Sequence, residues 1–196
     1  PFALVALGGC GDSGFLDGHD YTFEGSKYGK IIDILIQSNC MNPIILFDEL
    51  DKISDTPKGE EIAGVLTHLT DTTQNTHYTD KYMSEITLDM SKALYIFSYN
   101  DETRVNPILK DRMYKIETKG YKTDEKLIIA KDYLLPKIQE QTCFKSDEIC
   151  INDNVLKYII TEFTDKEAGV RNLKRSLEII YTKLNLYRLM KPGINL

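Results

Sequence analysis

Ile44-Ile45-Leu46-Phe47 is an unbroken apolar run, rich in β-branched residues, that stops at once in Asp48-Glu49. A run of that length and type reads as a strand buried on both faces, which belongs in a parallel α/β sheet. Two further runs fit the same description, Phe2 to Leu7 before Gly8-Gly9 and Ala93 to Ser98 before Tyr99-Asn100. Between them lie segments of helical period: Ile31, Ile34 and Leu35 within Lys30 to Ser38, and Ile62, Val65, Leu66 and Leu69 within Lys58 to Leu69. Pro107 to Arg112 reads as a short helix with Pro in its first turn, and Met113 to Thr118 alternates like a fourth strand. Asp71 to Lys81 is polar and turn-rich.

After Gly120 the pattern becomes purely helical. Thr123-Asp124-Glu125-Lys126 opens a helix with acids in its first turn. It is expected to run to about Ile138, with Pro136 placed to bend it. A second helix follows Asn152-Asp153, with Val155, Leu156, Ile159, Ile160 and Phe163 on one face. A third carries Val170, Leu173, Leu177, Ile180 and Leu184 at alternating spacings of three and four. The sequence therefore predicts an α/β subdomain over residues 1–120 and a small all-α subdomain over 121–196.

The chain has 196 residues, 42% hydrophobic and 28% charged, an ordinary globular composition. No run approaches the roughly 18 apolar residues of a membrane span. The net charge of −6, from 30 acids against 24 bases, argues against a general nucleic-acid binder. The basic cluster Arg171, Lys174, Arg175, Lys183, Arg188 and Lys191 reads equally as a solvated helix face. Cys10, Cys40, Cys143 and Cys150 form no C-x-x-C pair, which argues against zinc and for reduced thiols. With no leader visible, the expected compartment is the cytoplasm or another reducing one, an organelle matrix included.

Open parallel sheets bind ligands beyond the carboxyl ends of their strands. Asp48 and Glu49 stand at such an end, where an Asp can help hold Mg²⁺ and a Glu can act as general base for water. The same pair also fits a plain acidic helix start. Asn100, at a second strand end, is placed to hold the water that Glu49 would activate.

Downstream, Gly169-Val170-Arg171-Asn172-Leu173 opens the third helix, and with it the chain resembles the ATPase part of the Lon proteases, members of the AAA+ family. The matching segments are Leu7-Gly8-Gly9 with Gly18-His19, Pro43 to Lys52, Tyr78-Thr79-Asp80 with Tyr82, Asp111-Arg112-Met113, Leu134 to Lys137 and Glu167 to Leu173. The resemblance implies a partial three-layer α/β subdomain followed by a helical lid. It implies ATP and Mg²⁺ as cofactors, the ion held by Asp48 through water. Asp48 and Glu49 would be the Walker B pair and Asn100 the sensor-1 residue. Arg112 would be an arginine finger reaching the neighbouring subunit's nucleotide, and Arg171 sensor 2. Taken alone, each arginine also fits a surface residue paired with an acid. Tyr21-Thr22-Phe23-Glu24-Gly25 falls where the family carries its first pore loop, with Phe23 as the gripping aromatic; the alternative is that Phe23 packs in a local loop core. Glu24 stands where the family has an aliphatic residue. The second pore loop would lie in Asp71 to Tyr82. A hexameric ring acting on unfolded or damaged proteins follows from the same resemblance.

Gly8 to Gly18 lacks the Lys and Ser/Thr of a phosphate loop, and Gly25 to Lys30 has its glycines one residue too close with Ile31 after the Lys. Neither is a Walker A motif. In the family the phosphate loop follows a strand that lies upstream of the Phe2 run in sequence and centrally in the sheet, between the strand ending at Asn100 and the one from Met113. Leaving it out strands several backbone groups at about 1–3 kcal/mol each, against a total stability of roughly 5–15 kcal/mol. The chain thus reads as a piece of a longer polypeptide, with the Ser–Lys peptidase domain of the family also outside it, and alone it is expected to hydrolyse ATP poorly. Two other readings stay open: a degenerate AAA+ scaffold or adaptor that keeps these acids for subunit contacts, and a nucleic-acid motor or clamp-loader relative.

Overall fold

The computed structural model describes every residue except 23, 54, 146–147, 165–166 and 192–196. The chain divides into two compact units, Pro1–Lys115 and Ile116–Leu196.

In the first unit the strands β1 (Phe2–Ala6), β2 (Ile44–Asp48) and β5 (Leu94–Phe97) form a parallel sheet in the order β1-β2-β5. Phe2 pairs with Ile44, which pairs in turn with Leu94, and Leu4 pairs with Leu46, which pairs in turn with Ile96. Because side chains alternate along a strand, this register puts Val5, Ile45 and Phe47 on one face, where all three are buried. That face packs against α1 (Gly14–Asp17), α2 (Lys30–Ser38) and α3 (Pro57–Thr70), through Leu16, Ile31, Ile34, Leu35, Ile62 and Leu66. The Phe47 ring stacks on Phe97 at 5.3 Å. Thr56 caps α3 by accepting from the Gly59 N–H, with Pro57 in the first turn. Two two-residue strands, β3 (Tyr78–Thr79) and β4 (Thr87–Leu88), pair as an antiparallel hairpin, and β3 lies in the segment whose polarity suggested only turns.

The strands were expected to be buried on both faces. Among the described residues only one face is covered: Phe2 is 63% exposed, Leu4 56% and Leu94 55%. Among the described residues, α1, α2 and α3 all pack on the same side of the sheet. The expected fourth strand, Met113 to Thr118, does not form. These residues are irregular, with Tyr114 91% and Ile116 77% exposed. A strand exists only with a ladder partner, and the described residues offer none beyond β5. The helix before this segment, α4 (Pro107–Asp111), is present and is capped by Asn106, whose side chain accepts from the N–H groups of Ile108 and Leu109.

The second unit holds α5 (Thr123–Ile129), α6 (Leu135–Thr142), α7 (Asp153–Thr164) and α8 (Arg171–Met190). A π-helical turn, Ala130–Leu134, joins α5 to α6. Pro136 has no N–H and its ring crowds the carbonyl four residues back, so the ladder widens just ahead of it. The helical stretch continues to Thr142, beyond the expected end near Ile138. Leu156, Ile159, Ile160, Leu173 and Leu177 form the core, while Val155 and Phe163 of the expected α7 stripe face solvent. Tyr181 is fully buried and its hydroxyl accepts from Gln139. Lys126 is 3% exposed, and its Nζ donates to the carbonyls of Thr164 and Glu167 at the end of α7.

Candidate functional site

The end of β2 is fastened to the segment leaving β5. The Ser98 hydroxyl donates to Asp48 Oδ1, as does the Glu49 N–H at 3.1 Å. The Leu50 N–H donates to the Ser98 carbonyl at 2.9 Å. One turn on, Asp51 is 1% exposed and its Oδ1 accepts from the Asn100 N–H at 3.3 Å. Burial pushes the Asp51 carboxyl up, but N–H donors led by Asn100 outweigh it and leave it below its ordinary value. The adjacency of the two strand ends is therefore built from the Ser98 hydroxyl on the Asp48 carboxylate and from two bonds given by backbone N–H groups, Leu50 to Ser98 and Asn100 to Asp51. Ser98 and Asp51 were missed by sequence reasoning. The signal for Asp51 was available, an acid two residues after a strand-end acid pair, in a place too near the sheet to stay solvated.

Asp48 is partly buried at the last position of β2. Glu49 sits at φ 61°, ψ 46°, a left-handed conformation that costs a non-glycine residue free energy. Its carboxylate lies against Gly8, just beyond β1, where a Cβ would collide with Oε2. Glu49 is thus turned toward the β1 side of β2, whereas Asn100, exposed, follows β5 on the other side. The backbone juxtaposition is present; the Glu49 carboxylate rests away from Asn100.

Arg112 lies just past α4, and its Nη1 meets Asp71 Oδ2 at 2.6 Å. Asp71 follows α3, and the Thr73 N–H and hydroxyl both donate to its other oxygen. Those Thr73 bonds, followed by Arg112, hold the Asp71 carboxyl down to about 2. Arg171, in the second unit, is the first residue of α8 and is exposed. The Asn172 N–H beside it donates to Glu167 Oε2 at 2.8 Å.

Phe23 lies outside the described residues. Its neighbours Tyr21 and Glu24 are exposed, and the Lys27 carbonyl accepts from the His19 N–H at the loop's base. Below that base, Asp80 is 1% exposed and accepts from the N–H groups of Gly29 at 2.7 Å and Tyr82 at 2.9 Å. Gly18, at φ 81°, leaves no room for a Cβ beside the Asp80 carboxylate. Asp80 therefore ties the start of α2 to the β3–β4 hairpin, a role its sequence position did not disclose. Among the described residues no cluster of three or more His, Cys, Asp or Glu is arranged to bind a metal by itself.

Residues 140–192 match the family model of the Lon protease AAA+ ATPase lid domain. A Lon protease homolog of Acanthamoeba polyphaga mimivirus is 39% identical over 194 residues, covering 98% of this chain and 19% of that protein. The Lon protease of Salinispora arenicola is 39% identical over 192 residues, 98% of this chain and 24% of that protein. The Lon protease of Helicobacter pylori is 38% identical over 186 residues, 95% of this chain and 22% of that protein. The chain thus spans about a fifth to a quarter of the length of the curated relatives it matches. With its parallel sheet followed by helices alone, and relatives aligned across nearly its whole length, the chain belongs to the Lon protease family, in the AAA+ ATPase region that runs from the α/β subdomain into the lid.

Proposed function

We propose that this chain is the motor segment of a Lon-like ATP-dependent protease, coupling ATP hydrolysis to the unfolding and translocation of protein substrates. The observation that carries the reading is the pair of stitches, Ser98 to Asp48 and Asn100 to Asp51, that fix two acids and an amide at neighbouring strand ends. The donor set suits a Mg²⁺–triphosphate: Asp48 is a hard oxygen ligand whose orientation is set by Ser98 and the Glu49 N–H. The ion, held by Asp48 through water, would neutralise charge on the phosphates.

Glu49 then serves as the base that takes the proton from the attacking water. Its side chain must first leave Gly8 and swing toward Asn100, which orients that water. Arg112 stabilises phosphate charge across a subunit boundary and Arg171 does so from the lid, a division of labour that requires a homo-oligomeric ring, six-membered in this reading. In this reading residues 1–120 are the α/β subdomain and 121–196 the lid, while the compact units divide at Lys115–Ile116. In this reading Phe23 and Glu24 are the pore-loop residues that would meet unfolded or damaged polypeptide. The four free cysteines agree with a reducing compartment; among the described residues no helix is long and apolar enough to cross a membrane.

The test is Glu49→Gln in the full-length polypeptide. ATP turnover is expected to fall about 10²–10⁴-fold, the span of general-base catalysis, with nucleotide binding retained. Turnover at the parental rate overturns the assignment. Arg112→Ala separates the motor from a scaffold: a motor loses turnover and still binds nucleotide, while a scaffold is unaffected.

A further inference from the structure

The geometry points to Asp71 as the positioning residue of Arg112, fixing its guanidinium at the end of α4 so that it is presented to the neighbouring subunit's nucleotide; this rests on the reading of Arg112 as an arginine finger. An arginine on a surface turn has many rotamers, and a finger that must be located to within a fraction of an ångström needs something to choose one. Here two helix ends 41 residues apart in sequence, those of α3 and α4, meet in one ion pair at 2.6 Å.

Asp71 is built to be a fixed partner rather than an incidental one. Its Oδ1 is occupied by the Thr73 N–H at 2.9 Å and the Thr73 hydroxyl at 2.7 Å, which leaves Oδ2 to Arg112. Its own N–H donates to the Thr67 carbonyl, so backbone and side chain are both held. The Asp71 side chain is 12% exposed against 32% for Arg112, so the carboxylate is the anchored member of the pair and the guanidinium the presented one. The Arg112 N–H in turn donates to Leu109, whose side chain is fully buried, so the stem of the finger is fixed to the core. Surface ion pairs between two mobile side chains do little; one with a member immobilised at three points restricts the other.

The experiment measures ATP turnover in the assembled full-length protein for Asp71→Asn, Asp71→Glu, Arg112→Ala and the Asp71→Asn/Arg112→Ala pair. Asp71→Asn is expected to lower kcat by about 10-fold to 10²-fold, the scale of a misplacement near 1 Å, with KM for ATP unchanged within about twofold. Asp71→Glu, which keeps the charge and moves the carboxylate by one methylene, is expected to fall between. Adding Asp71→Asn to Arg112→Ala is expected to change nothing further. If Arg112→Ala abolishes turnover while Asp71→Asn and Asp71→Glu keep the parental kcat, the positioning role is overturned and the finger stands. A rise in kcat for Asp71→Asn overturns it too, since Asp71 would then be holding the arginine back. Parental turnover in Arg112→Ala removes the finger itself. Should Asp71→Asn melt at lower temperature than the parent, Asp71→Glu decides, and a parental kcat there counts against the proposal.

Discussion

At the scale of single residues, the proposed site depends on groups that have no part in its proposed chemistry. Asp51 is enclosed, and its carboxylate is the acceptor for the Asn100 N–H. Asp51→Ala leaves that donor without its partner and is expected to destabilise the first unit by about 1–3 kcal/mol, read from urea unfolding. Asp71 gives a pH signature. Its carboxyl, held near 2 by Thr73 and Arg112, is depressed relative to an unfolded value of about 3.9. A depressed carboxylate contributes stability above its unfolded pKa and loses it as pH falls through the folded one. The difference in urea midpoint between the parent and Asp71→Asn is therefore expected to be flat from pH 7 to about pH 4 and to close between about pH 4 and pH 2. A difference that closes near pH 6 would assign the effect to some other group.

At the scale of elements, helix ends matter more than helix middles. Asn106 fixes the start of α4 through two N–H groups, and Arg112 stands one residue past its end. Asn106→Ala is expected to destabilise by about 0.5–2 kcal/mol and to lower kcat with it, measured by thermal melting and turnover in the full-length protein. What was legible in the sequence divides along the same line. The strands β1, β2 and β5 and the helices α2, α3, α7 and α8 were visible because apolar spacing alone defines them. The β3–β4 hairpin was not, since two-residue strands carry no period. The segment from Met113 shows the opposite failure: its alternation is there in the sequence, but a strand is a property of a pair, and among the described residues no strand pairs with it. Asp48, Glu49 and Asn100 were legible as candidates because open parallel sheets take ligands beyond the carboxyl ends of their strands. The resting direction of Glu49 was hidden, because it depends on the space over Gly8, which no local pattern encodes.

At the scale of the whole molecule, each unit has its own hydrophobic core, so each can respond to damage separately. The first unit also carries an uncovered apolar sheet face, lined by Phe2, Leu4, Ile44, Leu94 and Ile96. Exposed apolar sheet surface beside an open strand edge favours association. The 196 residues expressed alone are expected to self-associate at micromolar concentration, seen by light scattering, and Leu94→Lys with Ile96→Lys to reduce it; a monodisperse parent would count against this. In the second unit, Lys126 has a different consequence. An amine sealed onto two carbonyls is shielded from acylating reagents, so it would acquire a label only when the α5–α7 joint breathes. Its rate of labelling would make it a clock for that opening, running in the stretch of chain that leads directly to Arg171.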